Sequence, residues 1–246
     1  MKNKQPQPAN HSISPIRNNQ SPDHPSPNYL RTEFHCHTIY SKDSLTTPEK
    51  LIKTCQRKGI DRVVVTDHNN IEGAQRCQEI DPERVIIGEE VMTTRGELLA
   101  AYVCEEIPAG LQPMEVIERL RAQNAFISVS HPFDQHRSGH WELDDLLKIL
   151  PYVDAIETFN SRCILPRFNF QAQNFAVEHG LLGTYGSDAH AAFELGRGNL
   201  LLLPFEDAES LKTALKNAVV PKIIQGTPFV HLTSRWAVWR KKRKSR

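Results

Sequence analysis

The segment Leu30-Arg31-Thr32-Glu33-Phe34-His35-Cys36-His37 decides both the fold and the candidate site. We predict a short β-strand over residues 30–34, followed directly by the two histidines. Side chains alternate between the two faces of a strand, so His35 and His37 project to one side and Cys36 to the other. Two imidazoles in this arrangement can bind one metal ion. The segment therefore predicts a strand that ends in a metal site.

Further short strands follow along the chain, and segments of helical period separate them. The later strand candidates are residues 62–65, 85–87, 98–103, 126–130, 153–158, 181–185 and 200–203. This alternation is typical of β-α units around a mainly parallel sheet. A chain of 246 residues can also bury one substantial core. We therefore predict a single domain of the α/β class.

The first helix has clear signals at both of its ends. Thr47-Pro48-Glu49 combines a capping hydroxyl, a proline in the first turn and an early acid, and Gly59 ends the helix. The further helices are predicted over residues 113–124, 142–150, 166–179 and 207–217.

The two ends of the chain differ in composition from its body. Residues 1–28 are rich in Pro, Asn, Gln and Ser and predict a disordered tail, so the folded domain is expected over 29–225. Residues 226–246 form a C-terminal extension in which six of the last seven residues are basic. With Trp236 and Trp239 nearby, this basic tail could contact nucleic acid or anionic lipid, or it could be merely solvated.

Two further patterns bear on the environment of the protein. The chain has no uninterrupted apolar run of about 18 residues and no apolar core of a signal peptide, so we expect no membrane span and a cytoplasmic protein. Its five cysteines are scattered without C-x-x-C spacing. We therefore expect reduced cysteines, with neither a disulfide framework nor a thiolate zinc site.

Polar residues able to bind metal follow the predicted strands repeatedly. They are His35, His37, Asp67, His68, Glu89, Glu90, His131, Glu157, Asn160, Asp188 and His190. One histidine after a strand is usually a hydrogen-bonded loop residue, but the recurrence at successive strand ends favours a shared site. In a β/α barrel this edge is where sites form. A mixture of imidazole and carboxylate suits Mn, Zn or Fe(II) better than Mg or Ca.

These segments resemble the ordered motifs of the polymerase and histidinol phosphatase (PHP) domain family. The matching segments are His35-Cys36-His37-Thr38, Thr66-Asp67-His68-Asn69, Gly88-Glu89-Glu90-Val91, Ser130-His131-Pro132 and Ser187-Asp188-Ala189-His190. The resemblance covers roughly residues 30–225. It implies a distorted (β/α)7 barrel with two or three divalent metal ions.

The resemblance also implies which residues hold each ion. The first ion would take His35, His37, Glu90 and Asp188. Glu90 would bridge to a second ion beside His131, and a third would take Asp43, His68 and His190.

Two further glutamates, Glu89 and Glu97, lie close in sequence to the bridging Glu90. Glu90 is preferred to Glu89 because the family motif places its bridging acid at that position and strand alternation turns Glu89 away. Glu97 stands where many small phosphoesterases of the family have another histidine. It is either a further carboxylate ligand or a surface glutamate.

Clustered cations favour hydrolysis of a phosphate ester by metal-bound hydroxide, since they acidify bound water and neutralise the phosphoryl oxygens. The chain has neither a G-x-S-x-G elbow nor a phosphate-binding P-loop. Asp67, next to His68, is expected to orient a ligand. The residues expected to bind substrate are Arg137, Asn160, Arg162 and Arg197, although each arginine could be an ordinary surface residue.

The leading hypothesis is a stand-alone phosphoesterase acting on a small phosphorylated molecule, with a nucleotide or nucleoside bisphosphate as the expected class. The alternatives are a metal amidohydrolase, a non-catalytic metal-binding PHP module, and an exonuclease for short oligonucleotides, which the basic tail would favour. No obligate protein partner is indicated.

Overall fold

The computed structural model of the chain describes residues 29–227 and 229–244. The tail predicted over residues 1–28 lies outside these residues. All eight predicted strands are present. Their bounds are β1 Leu30–Glu33, β2 Arg62–Val65, β3 Val85–Met92, β4 Glu97–Ala101, β5 Phe126–Val129, β6 Ala155–Asn160, β7 Leu182–Gly186 and β8 Asn199–Leu202.

Helices connect most of these strands. Their bounds are α1 Pro48–Lys58, α2 Glu72–Ile80, α3 Pro113–Ala122, α4 Leu143–Ile149, α5 Pro166–His179, α6 Ala208–Leu215 and α7 Val230–Lys244, with a 3₁₀ turn over Leu150–Tyr152. The Thr47 hydroxyl accepts a hydrogen bond from Lys50 N at 3.3 Å, and Gly59 ends α1 with a φ of 62°. Both predicted ends of α1 are thus confirmed. None of the described helices is long and apolar enough to cross a membrane.

The strands form one eight-stranded sheet that closes almost completely into a barrel. Their order is β7-β6-β5-β4-β3-β2-β1-β8. Strands β1, β2, β3, β5, β6 and β7 run in the same direction, whereas β4 and β8 are antiparallel to their neighbours. The segment after β1 meets the segment after β7, where His37 N donates to Ala189 O at 2.9 Å. The predicted α/β barrel of the PHP type is confirmed, and two of its eight strands, β4 and β8, are reversed.

The hairpin of β3 and β4 positions two acids of the candidate site. Strand β3 runs five residues beyond its predicted end at residue 87, because its second half pairs with β4. Met92 faces Glu97 in this pairing, and Glu90 faces Leu99. Both acids therefore lie near the same edge of the barrel.

Two elements were absent from the sequence-based prediction. Helix α2 was missed, and α7 forms where a solvated end was one of the alternatives. Over the described part of the C-terminal extension, Val230 and Ala237 are buried against the domain, so the solvated alternative is wrong there. The cysteines behave as expected, since all five are free thiols and only Cys104 is exposed.

The Glu89 carboxyl is buried away from the candidate site, as strand alternation predicts. It accepts hydrogen bonds from Ile107 N at 3.0 and 3.3 Å. Burial raises the pKa of Glu89 to about 8. In the unfolded chain this pKa returns to its usual value of about 4.3. The folded state therefore binds an extra proton between these two values, and ionising Glu89 opposes folding.

We expect Glu89→Gln to make the protein more stable than wild type at high pH. The contribution of protonated Glu89 is fully present below about pH 4 and is lost as pH rises toward 8, at about 1.4 kcal/mol for each pH unit between the two pKa values. Urea unfolding at pH 5, 7 and 9 measures the effect. The exposed Glu105→Gln serves as the matched control. A difference between Glu89→Gln and wild type that is constant across pH would contradict the prediction.

Candidate metal centre

The two histidines that follow β1 are held with their Nε2 atoms directed at a common point. His35 Nδ1 lies 2.9 Å from Glu157 Oε1, and His37 Nδ1 lies 3.1 Å from Ser41 Oγ. These contacts fix both rings from behind. The two Nε2 atoms are then 3.1 Å apart, and both side chains are fully buried. The arrangement predicted from residues 30–37 is therefore the one observed.

Two carboxylates complete a first cluster around this point. Glu90 Oε2 lies 3.3 Å from His35 Nε2 and 3.4 Å from His37 Nε2. Asp188 Oδ1 lies 3.5 and 3.2 Å from the same two atoms. His35, His37 and Glu90 together can hold one ion, and Asp188 Oδ1 lies beside them.

The other oxygen of Glu90 belongs to a second cluster. Glu90 Oε1 lies 3.2 Å from His131 Nε2, and Glu97 Oε2 lies 3.4 Å from the same nitrogen. His68 Nδ1 approaches Glu90 Oε2 at 3.0 Å. Glu97 is only 6% exposed, so the alternative of a surface glutamate is wrong. Glu90 stands between the two clusters, as a bridging ligand would.

A third cluster lies on the far side of His68. Asp43 Oδ2 is 3.0 Å from His190 Nε2, and Asp43 Oδ1 is 3.6 Å from His68 Nε2. The His37 ring contacts those of His68 and His190, with centroid distances of 4.4 and 4.2 Å. Asp188 has a φ of 51°, a conformation that few residues other than glycine adopt. This turn allows both Asp188 and His190 to face the clusters.

The buried atoms of these clusters fit divalent cations. Several buried side-chain atoms of the described residues have no hydrogen-bond partner, among them Asp43 Oδ1, Glu90 Oε2, His131 Nε2 and Asp188 Oδ1. A buried polar atom without a partner destabilises the folded state unless a cation or a water molecule contacts it. Each points at a cluster of imidazole and carboxylate, the donor set of first-row divalent metals. All nine predicted ligands are thus brought together in a form that can hold metal.

Electrostatics keep Glu90, Asp188 and His37 in the protonation states that metal binding needs. Burial opposes ionisation of Glu90, but His35 and His68 hold the pKa of its carboxyl well below the usual range. Burial likewise opposes ionisation of Asp188, and the nearby Arg137 guanidinium holds its pKa well below the usual range. Burial, with His190 and His68 beside it, lowers the pKa of His37 to about 3. Ionised carboxylates and a neutral imidazole are the forms that bind metal. Burial opposes the charged forms of His35 and His68, but the Glu90 carboxylate raises the pKa of both imidazoles well above the usual value, so a cation bound there would displace their protons.

Glu157 supports the first cluster, a role that sequence analysis did not assign to it. Besides contacting His35, its carboxylate accepts hydrogen bonds from His131 N at 2.9 Å and Asn160 Nδ2 at 3.1 Å. It therefore fixes residues of two clusters at once. The available signal was its place among the metal-competent residues near the end of the sixth predicted strand, where it was given no role.

Asp67 organises the loop after β1. Its carboxylate accepts hydrogen bonds from Thr38 N at 2.7 Å and Ser41 Oγ at 2.5 Å. Ser41 Oγ in turn contacts His37 Nδ1 and accepts from His68 N. Asp67 was expected to orient a ligand, and it contacts His37 through Ser41.

The four residues predicted to bind substrate have different surroundings. Arg137 Nη2 lies 2.6 Å from Asp188 Oδ2, so this cation is at the site. Asn160 is buried, and it donates to Glu157 and to Asp188 Oδ2 at 3.2 Å, which makes it a support for the carboxylates.

The other two arginines contact other parts of the chain. Arg162 is buried, pairs with Glu194 at 3.3 Å and donates to Val230 O, so it anchors α7. Arg197 lies over the Phe193 ring at 5.3 Å and contacts none of the predicted ligands. A sequence pattern could not show which loop arginines turn inward, because this depends on what packs against them.

Lys241 of α7 contacts the loop that carries part of the third cluster. Its ammonium donates to Ile39 O at 2.6 Å and to Ser41 O at 2.5 Å. The same loop contains Asp43 and the Ser41 hydroxyl that contacts His37. One residue of the basic tail thus supports the site, a contact that sequence analysis did not anticipate.

We expect Glu157→Gln to lower the affinity for divalent metal by about 10- to 100-fold, because a group that orients metal-binding histidines loses its charge. Competition with a chromogenic chelator measures this affinity without any substrate. The exposed Glu178→Gln of α5 is the matched control. Unchanged affinity in Glu157→Gln would rule out its supporting role.

We expect Lys241→Met to accelerate amide hydrogen exchange in residues 38–46 by at least about tenfold, because each hydrogen bond from a charged donor contributes about 1.5–3 kcal/mol. Exchange measured by mass spectrometry on the peptide spanning this loop tests the expectation. The exposed Arg235→Met removes a charge from α7 without contacting the loop. Equal exchange in the two variants would show that Lys241 does not hold the loop.

Similarity to known proteins agrees with this geometry. The PHP domain family model matches residues 33–154, and a family model described as PHP-associated matches residues 166–220. The uncharacterized protein MJ0417 of Methanocaldococcus jannaschii is 35% identical over 170 residues, which are 68% of this chain and 68% of that protein.

Solved structures with the same fold are more distant in sequence. A two-domain protein of Bacteroides vulgatus, described as containing a predicted PHP-like metal-dependent phosphoesterase, aligns with a TM-score of 0.63 and 18% identity over 85% of this chain and 70% of that one. An amidohydrolase of Chromobacterium violaceum, solved with sulfate and no metal, aligns with a TM-score of 0.58 and 13% identity over 77% of this chain and 98% of that one. Both likenesses concern the fold. From the matched family models and the archaeal relative, we conclude that the chain belongs to the PHP domain family.

Proposed function

We propose that the protein is a metal-dependent phosphoesterase that hydrolyses the phosphomonoester of a small molecule, with a nucleotide or nucleoside bisphosphate as the expected class. The observation that carries the proposal is the position of Glu90, whose Oε2 faces His35 and His37 while its Oε1 faces His131. A carboxylate in this position can hold two cations side by side, which is the arrangement that phosphoryl hydrolysis uses.

Bound divalent ions supply Lewis acidity, which activates water and neutralises charge on the phosphoryl oxygens. The protein's own part is to fix the ligands and to offer a cation. Arg137 is 18% exposed and sits on the loop that follows His131. Its guanidinium can therefore turn to a phosphoryl oxygen while it stays next to Asp188. The overall reaction adds water across one P–O bond, and the departing alcohol takes the proton.

The completeness of the ligand set argues against a non-catalytic module. All nine predicted ligands are buried or half-buried around the three clusters. A domain that only needed metal for stability could satisfy it with four ligands, as structural zinc sites do. The amidohydrolase alternative shares the fold and the histidine pair, so substrates must separate the two reactions.

We expect purified protein loaded with Mn, Zn or Fe(II) to release phosphate from p-nitrophenyl phosphate or from a member of a panel of nucleotides and nucleoside bisphosphates. His35→Ala should reduce the rate to that of buffer, because it removes a ligand of the first cluster. His179→Ala, an exposed histidine at the end of α5, should retain wild-type activity.

A panel of amide and lactone substrates belongs to the same experiment. If the protein turns over these substrates and releases no phosphate from the phosphate esters, its activity is that of an amidohydrolase and not of a phosphoesterase. If no substrate is turned over by metal-replete protein and His35→Ala changes nothing measurable, the enzymatic proposal fails.

A further inference from the structure

A groove of about 550 Å³ runs between α1 and α7, and we call it the α1–α7 groove. Its lining includes Lys50, Lys53, Arg57, His190, Phe193 and Trp236. His190 also belongs to the third cluster, where its Nε2 lies 3.0 Å from Asp43 Oδ2. The groove therefore leads from the candidate metal centre onto the outer surface of the barrel.

One wall of the groove is basic. Lys50, Lys53 and Arg57 are spaced i, i+3 and i+7 on α1, which places them on one face of the helix. They span about 10 Å along the helix axis. All three are exposed, and none makes an ion pair with a described residue. The described residues that line the groove include no Asp or Glu. This wall is suited to a ligand that carries several negative charges.

The other features of the groove are aromatic. Phe193 and Trp236 are each 52% exposed and line the groove. An arginine covers each ring, with Arg197 5.3 Å from the Phe193 centroid and Arg240 5.2 Å from that of Trp236. Exposed rings beside unpaired cations are the combination that binds single-stranded nucleic acid, through base stacking and phosphate contacts.

Helix α7 is anchored, so the Trp236 wall exists before any ligand arrives. The Arg162 guanidinium donates to Val230 O at 3.0 Å and to Ser234 Oγ at 2.8 Å, and Ala237 is buried. A preformed wall lowers the entropic cost of binding. Helix α7 begins after residue 220, where the matched PHP-associated range ends. The groove is therefore built partly from a segment that the family models do not cover.

We propose that the α1–α7 groove binds the chain of a short single-stranded oligonucleotide whose terminal phosphate reaches the metal centre. The proposal deepens the proposed phosphoesterase function and rests on it for the chemistry. Water would add across the terminal phosphoester bond, and the released sugar oxygen would take the proton, so no co-reactant is needed. The groove selects the substrate, and the metal centre hydrolyses it.

Binding can be tested apart from catalysis. The probe is a fluorescein-labelled hexathymidylate with a terminal phosphate, titrated with metal-free protein and followed by fluorescence anisotropy. The triple variant Lys50→Ala/Lys53→Ala/Arg57→Ala should weaken binding at least tenfold. The slope of log affinity against log salt concentration should also become less negative by about 2. Each phosphate neutralised on a single strand contributes about −0.7 to this slope, and the variant lacks three cations.

Separate variants test the aromatic wall. Trp236→Ala should weaken binding at least about fivefold, and Trp236→Phe should restore most of it, because stacking needs only a ring. The exposed Lys216→Ala, which lies at the end of α6 and away from the groove, should bind like wild type. Thermal unfolding of each variant checks that the fold is kept, which is expected because every changed side chain is exposed.

The kinetic arm uses metal-loaded protein. The groove variants should lose at least tenfold in kcat/KM for phosphate release from the hexamer and remain at wild-type values for p-nitrophenyl phosphate. If the hexamer binds the triple variant as tightly as wild type, the groove proposal is overturned even where the aryl phosphate is turned over. If the groove variants lose as much kcat/KM for thymidine monophosphate as for the hexamer, the assignment of an oligonucleotide substrate is wrong.

Two other outcomes are informative. Groove-dependent binding of the hexamer without turnover of any phosphate ester would support the groove and refute the proposed function. Groove-dependent binding to phosphatidylserine vesicles, with no binding of the hexamer, would overturn the nucleic acid assignment.

Discussion

The carboxylate of Glu90, buried among four histidines, is the interaction on which the rest of the site depends. Its two oxygens lie between 3.0 and 3.4 Å from nitrogens of His35, His37, His68 and His131. A carboxylate with no solvent exposure is stable only when cations or hydrogen bonds compensate for its lost hydration. Ser130 Oγ donates to it at 2.7 Å, and the imidazoles supply the remaining contacts. Bound cations would complete this compensation.

The barrel places the other ligands around the Glu90 carboxylate. The six strands of common direction bring their carboxyl ends to one edge, where the ligands from β1, β2, β5 and β7 meet. Glu97, the first residue of the reversed strand β4, lies at the same edge. Outer contacts then restrict these ligands: Glu157 holds His35, and Ser41 with Asp67 holds His37. Such support keeps histidines in the geometry that metal binding requires.

Helix α7 extends this support and gives the site a neighbouring surface. Lys241 reaches the loop of Ser41, while Arg162 connects the start of the helix to the barrel. The same helix carries Trp236 opposite the basic face of α1. A segment whose composition indicated only a basic tail is therefore part of the environment of the metal centre.

The sequence by itself indicated the eight strands, the α/β class and the metal-competent residues that follow those strands, because strand alternation and the position of polar residues after strands are local patterns. The resemblance to the PHP family added Asp43, Glu97 and the barrel. Local patterns also placed Glu89 and Glu90 on opposite faces. Tertiary structure alone decided that Glu97 is buried beside His131, that Arg162 anchors a helix while Arg137 faces Asp188, and that Glu157 and Ser41 fix the first two histidines. These contacts join residues far apart in the chain, and their partners depend on which strands pair and which helix covers them.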